Sequence, residues 1–169
     1  IVEEFWKGFG VFLIFLIARR SFDGPVDGVV YGALVGAGFA FTENIQYFAI
    51  SLIEGGGEQL TVTFILRAIM SPFAHAMFTS LTGLAIGLAA RRHASTGAAL
   101  GFGLLGMLGA MVLHGLWNGS SFANFFLLYF VLQVPLFVGF IFGIIALRRE
   151  ESRLTLSLIH ISEPTRLLS

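Results

Sequence analysis

Five apolar segments separated by short polar links occupy most of the chain, at roughly residues 5–18, 28–53, 61–90, 98–118 and 123–147. A helix needs about 20 mostly apolar residues to cross the hydrocarbon of a bilayer. Only helices and closed barrels satisfy all of their own backbone polar groups there. The first segment is short unless its Glu3-Glu4 end also lies in the membrane. Hydrophobic residues make up 56% of the chain and charged residues 12%, outside the range of soluble domains. The expected fold is therefore all-α, a polytopic bundle of about five spans in a lipid bilayer. The absence of cysteine excludes disulfides, thiolate metal sites and a cysteine nucleophile. No basic patch suited to nucleic acid is present, so no nucleic-acid partner is expected.

Arg19-Arg20, Arg91-Arg92 and Arg148-Arg149 follow the first, third and fifth segments, whereas the links Glu54–Leu60 and Gly119–Ser121 carry no Lys or Arg. The positive-inside rule then places the Arg pairs in the cytoplasm and the Gly55-Gly56-Gly57 link outside a cell membrane. Glycines at i, i+4 spacing (Gly28/Gly32/Gly36, Gly83/Gly87, Gly97/Gly101, Gly115/Gly119, Gly139/Gly143) predict helices in backbone contact. Ser71-Pro72 predicts a kink or break in the third segment. The start at Ile1 reads as an N-terminally truncated core over residues 1–153. Residues 156–166, Leu156-Ser-Leu-Ile-His-Ile-Ser-Glu-Pro-Thr-Arg166, resemble a translated sequencing adapter, so 156–169, with His160 and Glu163, read as a non-native tail.

Against this apolar background the polar residues stand out. An ionisable group at membrane depth costs roughly 3 kcal/mol on insertion scales and usually marks function. Glu43 and Asn44 lie within the second segment, Arg67 and His75 within the third, His114 and Asn118 within the fourth. Glu3, Glu4 and Lys7 head the first. On the five-span topology all of them converge in the outer half of the bundle. Spacing places Glu3 with Lys7, Arg67 with Ser71 and His75, His114 with Asn118, and Glu43 with Tyr47 on shared helix faces. Each has an ordinary structural role as an alternative. The Glu pair and Lys7 can mark a membrane boundary, Arg67 can snorkel or pair with Glu43, a lone histidine can bond two helices, and Tyr47 and Trp117 suit an interfacial belt.

Such a set suits hydrolysis by an activated water. One route uses a divalent metal, zinc for example, held by His75, His114 and a carboxylate such as Glu43, which lowers the pKa of bound water and polarises a carbonyl. The other is metal-free: a buried glutamate takes the proton from water while His and Asn stabilise the oxyanion. No His-Glu-x-x-His helix is present. Outside hydrolysis, a proton- or ion-coupled transporter and a non-catalytic membrane scaffold remain alternatives.

Four blocks in order resemble the PrsW family of intramembrane proteases, related to type II CAAX prenyl proteases. They are Ile1-Val-Glu-Glu-Phe-Trp-Lys7, the run from Asp23 through Gly-Phe-Ala-Phe-Thr-Glu-Asn-Ile-Gln-Tyr47, Arg67 through His75 to Gly83, and His114-Gly-Leu-Trp-Asn118. The resemblance implies a CAAX-protease-like core that cleaves membrane-anchored regulators such as anti-sigma factors, each a single-span protein. It implies catalytic roles for Glu3, Glu4, Glu43, His75 and His114, supported by Asn44, Arg67 and Asn118, and a metalloprotease classification.

Overall fold

The computed structural model describes residues 2–120 and 124–162, without the side chains of residues 120 and 158–162. All the regular structure among them is helical: α1 (Val2–Ile17), α2 (Pro25–Phe64), a π-helical segment (Ile65–Met70), α3 (Ala74–Arg91), α4 (Thr96–Ser120), α5 (Phe125–Leu128), a second π segment (Tyr129–Gln133) and α6 (Val134–Ser162). By length and apolarity three helical stretches can cross a membrane, Pro25–Arg91, Thr96–Gly119 and Phe125–Ser157.

Two features reconcile these three stretches with five apolar segments. At 16 residues α1 is shorter than the about 20 of a typical span and is not among the three. The first long stretch, 67 residues, is folded back on itself and contains both the second and third apolar segments. The reversal falls at Gly56, whose φ of 66° and ψ of −159° are accessible almost only to glycine. Beyond it the chain returns antiparallel, so that Ser51 Oγ and Thr63 Oγ1 meet at 2.7 Å. Of the suspected tail, α6 takes in residues up to Ser162, while Glu163 and the residues after it lie outside the described part, as does Ser121 of the other Arg-free link.

The Arg pairs gather at one end of the bundle. Arg19 donates to Thr96 Oγ1 (3.1 Å), Arg91 pairs with Glu150 (2.8 Å), and Glu151 approaches the backbone N–H of Val26 (3.4 Å). Beneath them Phe15 meets Phe22 edge to face and Phe22 stacks on Tyr31, on a core of Val11, Ile86, Ala89 and Ala99. A second core, Ala74, Met77, Phe78 and Ala110, lies toward the Gly56 end under Leu113, Trp117 and Phe137. Outward-facing Leu34, Phe41, Ile53, Leu105 and Phe142 give the bundle an apolar exterior suited to lipid.

Glycines determine how close α2 and α3 come. A Cβ at Gly28 would lie 2.1 Å from the Gly83 carbonyl oxygen, one at Gly83 1.8 Å from that of Gly28, and one at Gly36 2.4 Å from that of His75. The sets at Gly97/Gly101, Gly115/Gly119 and Gly139/Gly143 have nothing within 4 Å, so the i, i+4 rule identifies contact glycines only on the central pair. An unpredicted contact is Gly106, where a Cβ would lie 2.5 Å from the Leu81 carbonyl oxygen.

The break at Ser71-Pro72 is present, preceded by the π segment. Proline has no N–H and disturbs the preceding turn, and the exposed carbonyls acquire side-chain donors: Ser71 Oγ to Leu66 O and Tyr129 OH to Met70 O, each at 2.8 Å. Replacing Gly83 with Ala should destabilise the bundle by about 1–3 kcal/mol through overpacking. Gly101→Ala should stay within about 0.5 kcal/mol of the parent. Unfolding of both variants in mixed detergent micelles checks the pair.

Candidate active site

The polar residues reach the interior from four helices. Glu3, Glu4 and Lys7 come from the first two turns of α1, Glu43 and Asn44 from the middle of α2, His75 from the first turn of α3, and His114 from the late part of α4. Phe73 provides no side-chain cap for α3. The α3 start is instead held by the Pro72 break and by Gly36, which lets the His75 backbone approach α2.

Two ion-paired groups meet edge to face. In the first, Glu4 Oε1 accepts from Lys7 Nζ and lies 2.8 Å from His114 Nδ1. Glu4 and Lys7 are each only 1% exposed. In the second, Glu43 Oε2 accepts from Arg67 at 2.5 Å and from His75 Nε2 at 3.0 Å. Lys7 bridges the groups, with Nζ 3.1 Å from His75 Nδ1 and 4.6 Å from the Phe39 ring centre. The imidazoles of His75 and His114 lie 4.9 Å apart at 88°. Phe78 stacks on His114 and Phe39 flanks His75, which keeps the cluster dry on those sides.

Several expected pairings change. Lys7 bonds Glu4, three residues away, in place of Glu3, because Glu4 points inward while Glu3 is 39% exposed. The Arg67, Ser71, His75 stripe is not a regular helix face: Arg67 sits in the π segment and Ser71 in the break. Arg67 still arrives at the rim of the cluster, where it donates to Asn44 Oδ1 (2.8 Å) and stacks on Tyr47 (3.8 Å). Asn118 is exposed and does not join the Glu/His group; it lines a neighbouring cavity with Arg67 and Tyr47. Trp117 packs against Phe125 and Tyr129. Lys7, expected among the converging polar residues but with no role in the site, lies at the centre of the cluster. Its position three residues after Glu4 is the signal that could have included it.

One ligand atom each from Glu3, His75 and His114 lies within 4.8 Å of the others, a carboxylate and two imidazoles able to hold a metal ion. Glu43, the carboxylate expected in that set, is occupied by Arg67 and His75. Glu3 Oε2 and Glu4 Oε2 are buried without a hydrogen-bond partner, and Glu3 Oε2 stands 3.6 Å from His114 Nε2, beyond hydrogen-bond length. Acceptors left bare in a buried site fit a cation there.

Two open cavities flank the cluster. One of about 480 Å³ runs between α1 and α2 to Glu3, Lys7 and Glu43, past Trp6 and Gln46. The other, about 760 Å³, lies across Arg67 and is walled by Tyr47, Leu66, Trp117 and Phe126.

A family model described as PrsW family intramembrane metalloprotease matches residues 1–140. Among curated proteins, Protease PrsW of Geobacillus kaustophilus is 38% identical over 89 residues, 53% of this chain and 36% of the relative. Protease PrsW of Oceanobacillus iheyensis is 32% identical over 140 residues, 82% of this chain and 60% of the relative. Protease PrsW of Bacillus subtilis is 30% identical over 151 residues, 89% and 64% of the two chains. The chain thus spans less than two thirds of the length of each. No solved structure matches it. The match, residues 1–140, takes in Glu3, Glu4, Glu43, His75 and His114, and on that ground this chain belongs to the PrsW family of intramembrane metalloproteases.

Proposed function

We propose that the protein is an intramembrane endopeptidase that hydrolyses peptide bonds of membrane-anchored regulatory proteins, single-span and anti-sigma-factor-like. One observation carries this reading: Glu4 with His114, and Glu43 with His75, converge from four helices with the two imidazoles 4.9 Å apart. Burying so many ionisable groups in an apolar bundle is costly without function. Coming together, they resemble a site that activates water.

In this mechanism Glu43 is the general base. Its Oε2 is occupied by Arg67 and His75, which leaves Oε1 to take a proton from water arriving through the cavity between α1 and α2. His75 Nε2 and Arg67 hold that carboxylate in one orientation. Glu3 and His114, next to the unpaired oxygen of Glu4, are the donors for a divalent metal, with zinc the first choice for an N/O set. When bound, the metal would supply Lewis-acid polarisation of the scissile carbonyl. Asn44 restrains Arg67, and Asn118 lines the cavity through which a substrate segment approaches.

The same reading keeps five crossings of a cell membrane, with the Arg pairs cytoplasmic and the Gly56 turn external, in line with the positive-inside rule. The gathering of all three Arg pairs at one end supports it. Because the chain lacks cysteine, single-cysteine variants report sidedness unambiguously. Gly57→Cys is preferable to Gly56→Cys, since Gly57 has open space and no positive φ. An impermeant thiol reagent on intact cells should label Gly57→Cys and spare His93→Cys. Labelling of both from one side would exclude this topology.

For the chemistry, Glu43→Gln and His114→Ala in the full-length protein should each abolish cleavage of a single-span substrate while both still insert; the unfolding temperature should change little for Glu43→Gln and fall for His114→Ala, which takes a partner from the buried Glu4. Glu→Gln keeps size and hydrogen bonding but removes the proton-accepting charge, and the neutral amide is cheaper to bury. Retention of wild-type cleavage by Glu43→Gln would remove Glu43 from the base role.

A further inference from the structure

The two histidines of the site are not equivalent, and Lys7 makes the difference. A lysine ammonium has three donors and no acceptor, and a carboxylate only accepts. Lys7 Nζ lies 3.1 Å from His75 Nδ1, so this nitrogen must be the acceptor of the contact. The ring's proton is then on Nε2, which faces Glu43 Oε2 at 3.0 Å and donates to it. Both nitrogens of His75 are engaged, and no lone pair remains for a cation. His114 is the opposite case. Its Nδ1 faces the Glu4 carboxylate at 2.8 Å and must donate, which leaves Nε2 unprotonated in the neutral ring. That nitrogen looks toward Glu3 Oε2 at 3.6 Å.

Several features fix Lys7 in this role. It is 1% exposed, one N–H is taken by Glu4, and the Phe39 ring lies 4.6 Å from Nζ, so the ammonium has little freedom to turn away from His75. His75 is confined between Phe39 and the edge of Phe78. The Nδ1–H tautomer would set a protonated nitrogen against the ammonium and a bare one against the Glu43 carboxylate, two repulsive contacts in a low-dielectric interior.

We infer that Lys7 is a positioning residue: it holds His75 as the Nε2–H tautomer, commits it to orienting Glu43, and withholds it from metal. The inference rests on the hydrolytic reading of the site and assigns its parts. His114 and the α1 carboxylates form the cation side, and the Lys7–His75–Glu43 chain forms the water-activating side. It departs from the simplest use of the Glu3, His75 and His114 group, in which both imidazoles ligate. A hydrogen-bond partner on one ring nitrogen commonly fixes the tautomer of a histidine in this way.

The test is nitrogen NMR of the full-length protein labelled with 15N-histidine in detergent micelles, with the His75 signals identified by their loss in His75→Gln. The expected wild-type spectrum shows His75 as the Nε2–H tautomer, unmoved by added zinc. In Lys7→Met the preference should be lost and zinc should shift the ring signals, while Lys7→Arg, which also donates without accepting, should restore the wild-type pattern. In a cleavage assay Lys7→Met should lose about a hundredfold in kcat with little change in KM, the scale expected of a mispositioned base. A wild-type His75 protonated on Nδ1, protonated on both nitrogens, or shifted by zinc as a ligand would overturn the inference. The wild-type spectrum decides the matter even if Lys7→Met does not fold. Because the spectrum and the cleavage assay are separate, a wild type with the expected tautomer that cuts nothing would count against the protease reading alone.

Discussion

The rest of the bundle depends on the mutual compensation of charges that an apolar interior would otherwise reject. Glu4 is tolerable because Lys7 and His114 share its oxygen, and Glu43 because Arg67 and His75 share another. Removing one member of a buried pair commonly costs about 3–5 kcal/mol because it strands the partner. The partners come from α1, α2, the π segment, α3 and α4, so satisfying the charges also fixes how these helices sit against one another.

Backbone proximity makes this compensation geometrically possible. His75 can reach Glu43 only if α2 and α3 lie closer than side chains normally permit, and Gly28, Gly32, Gly36 and Gly83 remove the obstructing Cβ atoms. The Ser71-Pro72 break performs a complementary task. It ends one helix and starts another within the apolar layer, so Arg67 and His75 approach Glu43 from separate elements. Irregular backbone at such depth persists only where its polar groups find partners, as Ser71 and Tyr129 provide here. π-helical turns often accompany functional sites, and this one carries Arg67.

The site is also asymmetric in what can reach it. One cavity leads to the carboxylates of α1 and α2, and the other ends against Arg67 on the far side of Glu43. Arg67 therefore stands between an open, aromatic-walled space and the buried acids, with its guanidinium held by Glu43, Asn44 and Tyr47 at once. Three anchors on one side chain give that boundary a defined position despite its partial exposure.

Much of this was legible in the sequence. The apolar run lengths require a helical membrane bundle, since no other open structure satisfies the backbone in lipid. The high cost of charge in such segments singles out Glu3, Glu4, Glu43, Arg67, His75 and His114 before any coordinates. Proline chemistry marks the break after Ser71. Pairing was not legible, because adjacent helical residues point about 100° apart and a small rotation of α1 decides whether Glu3 or Glu4 faces inward. Lys7 therefore turned out to bond Glu4 and His75, and Asn118 to face a cavity instead of the acids. Nor could spacing distinguish the glycines that touch a neighbouring backbone from those facing open space, since both follow the same i, i+4 rule. Composition determined the solvent and the candidate residues; only tertiary packing, by setting helix rotation and approach, decided which donor meets which acceptor.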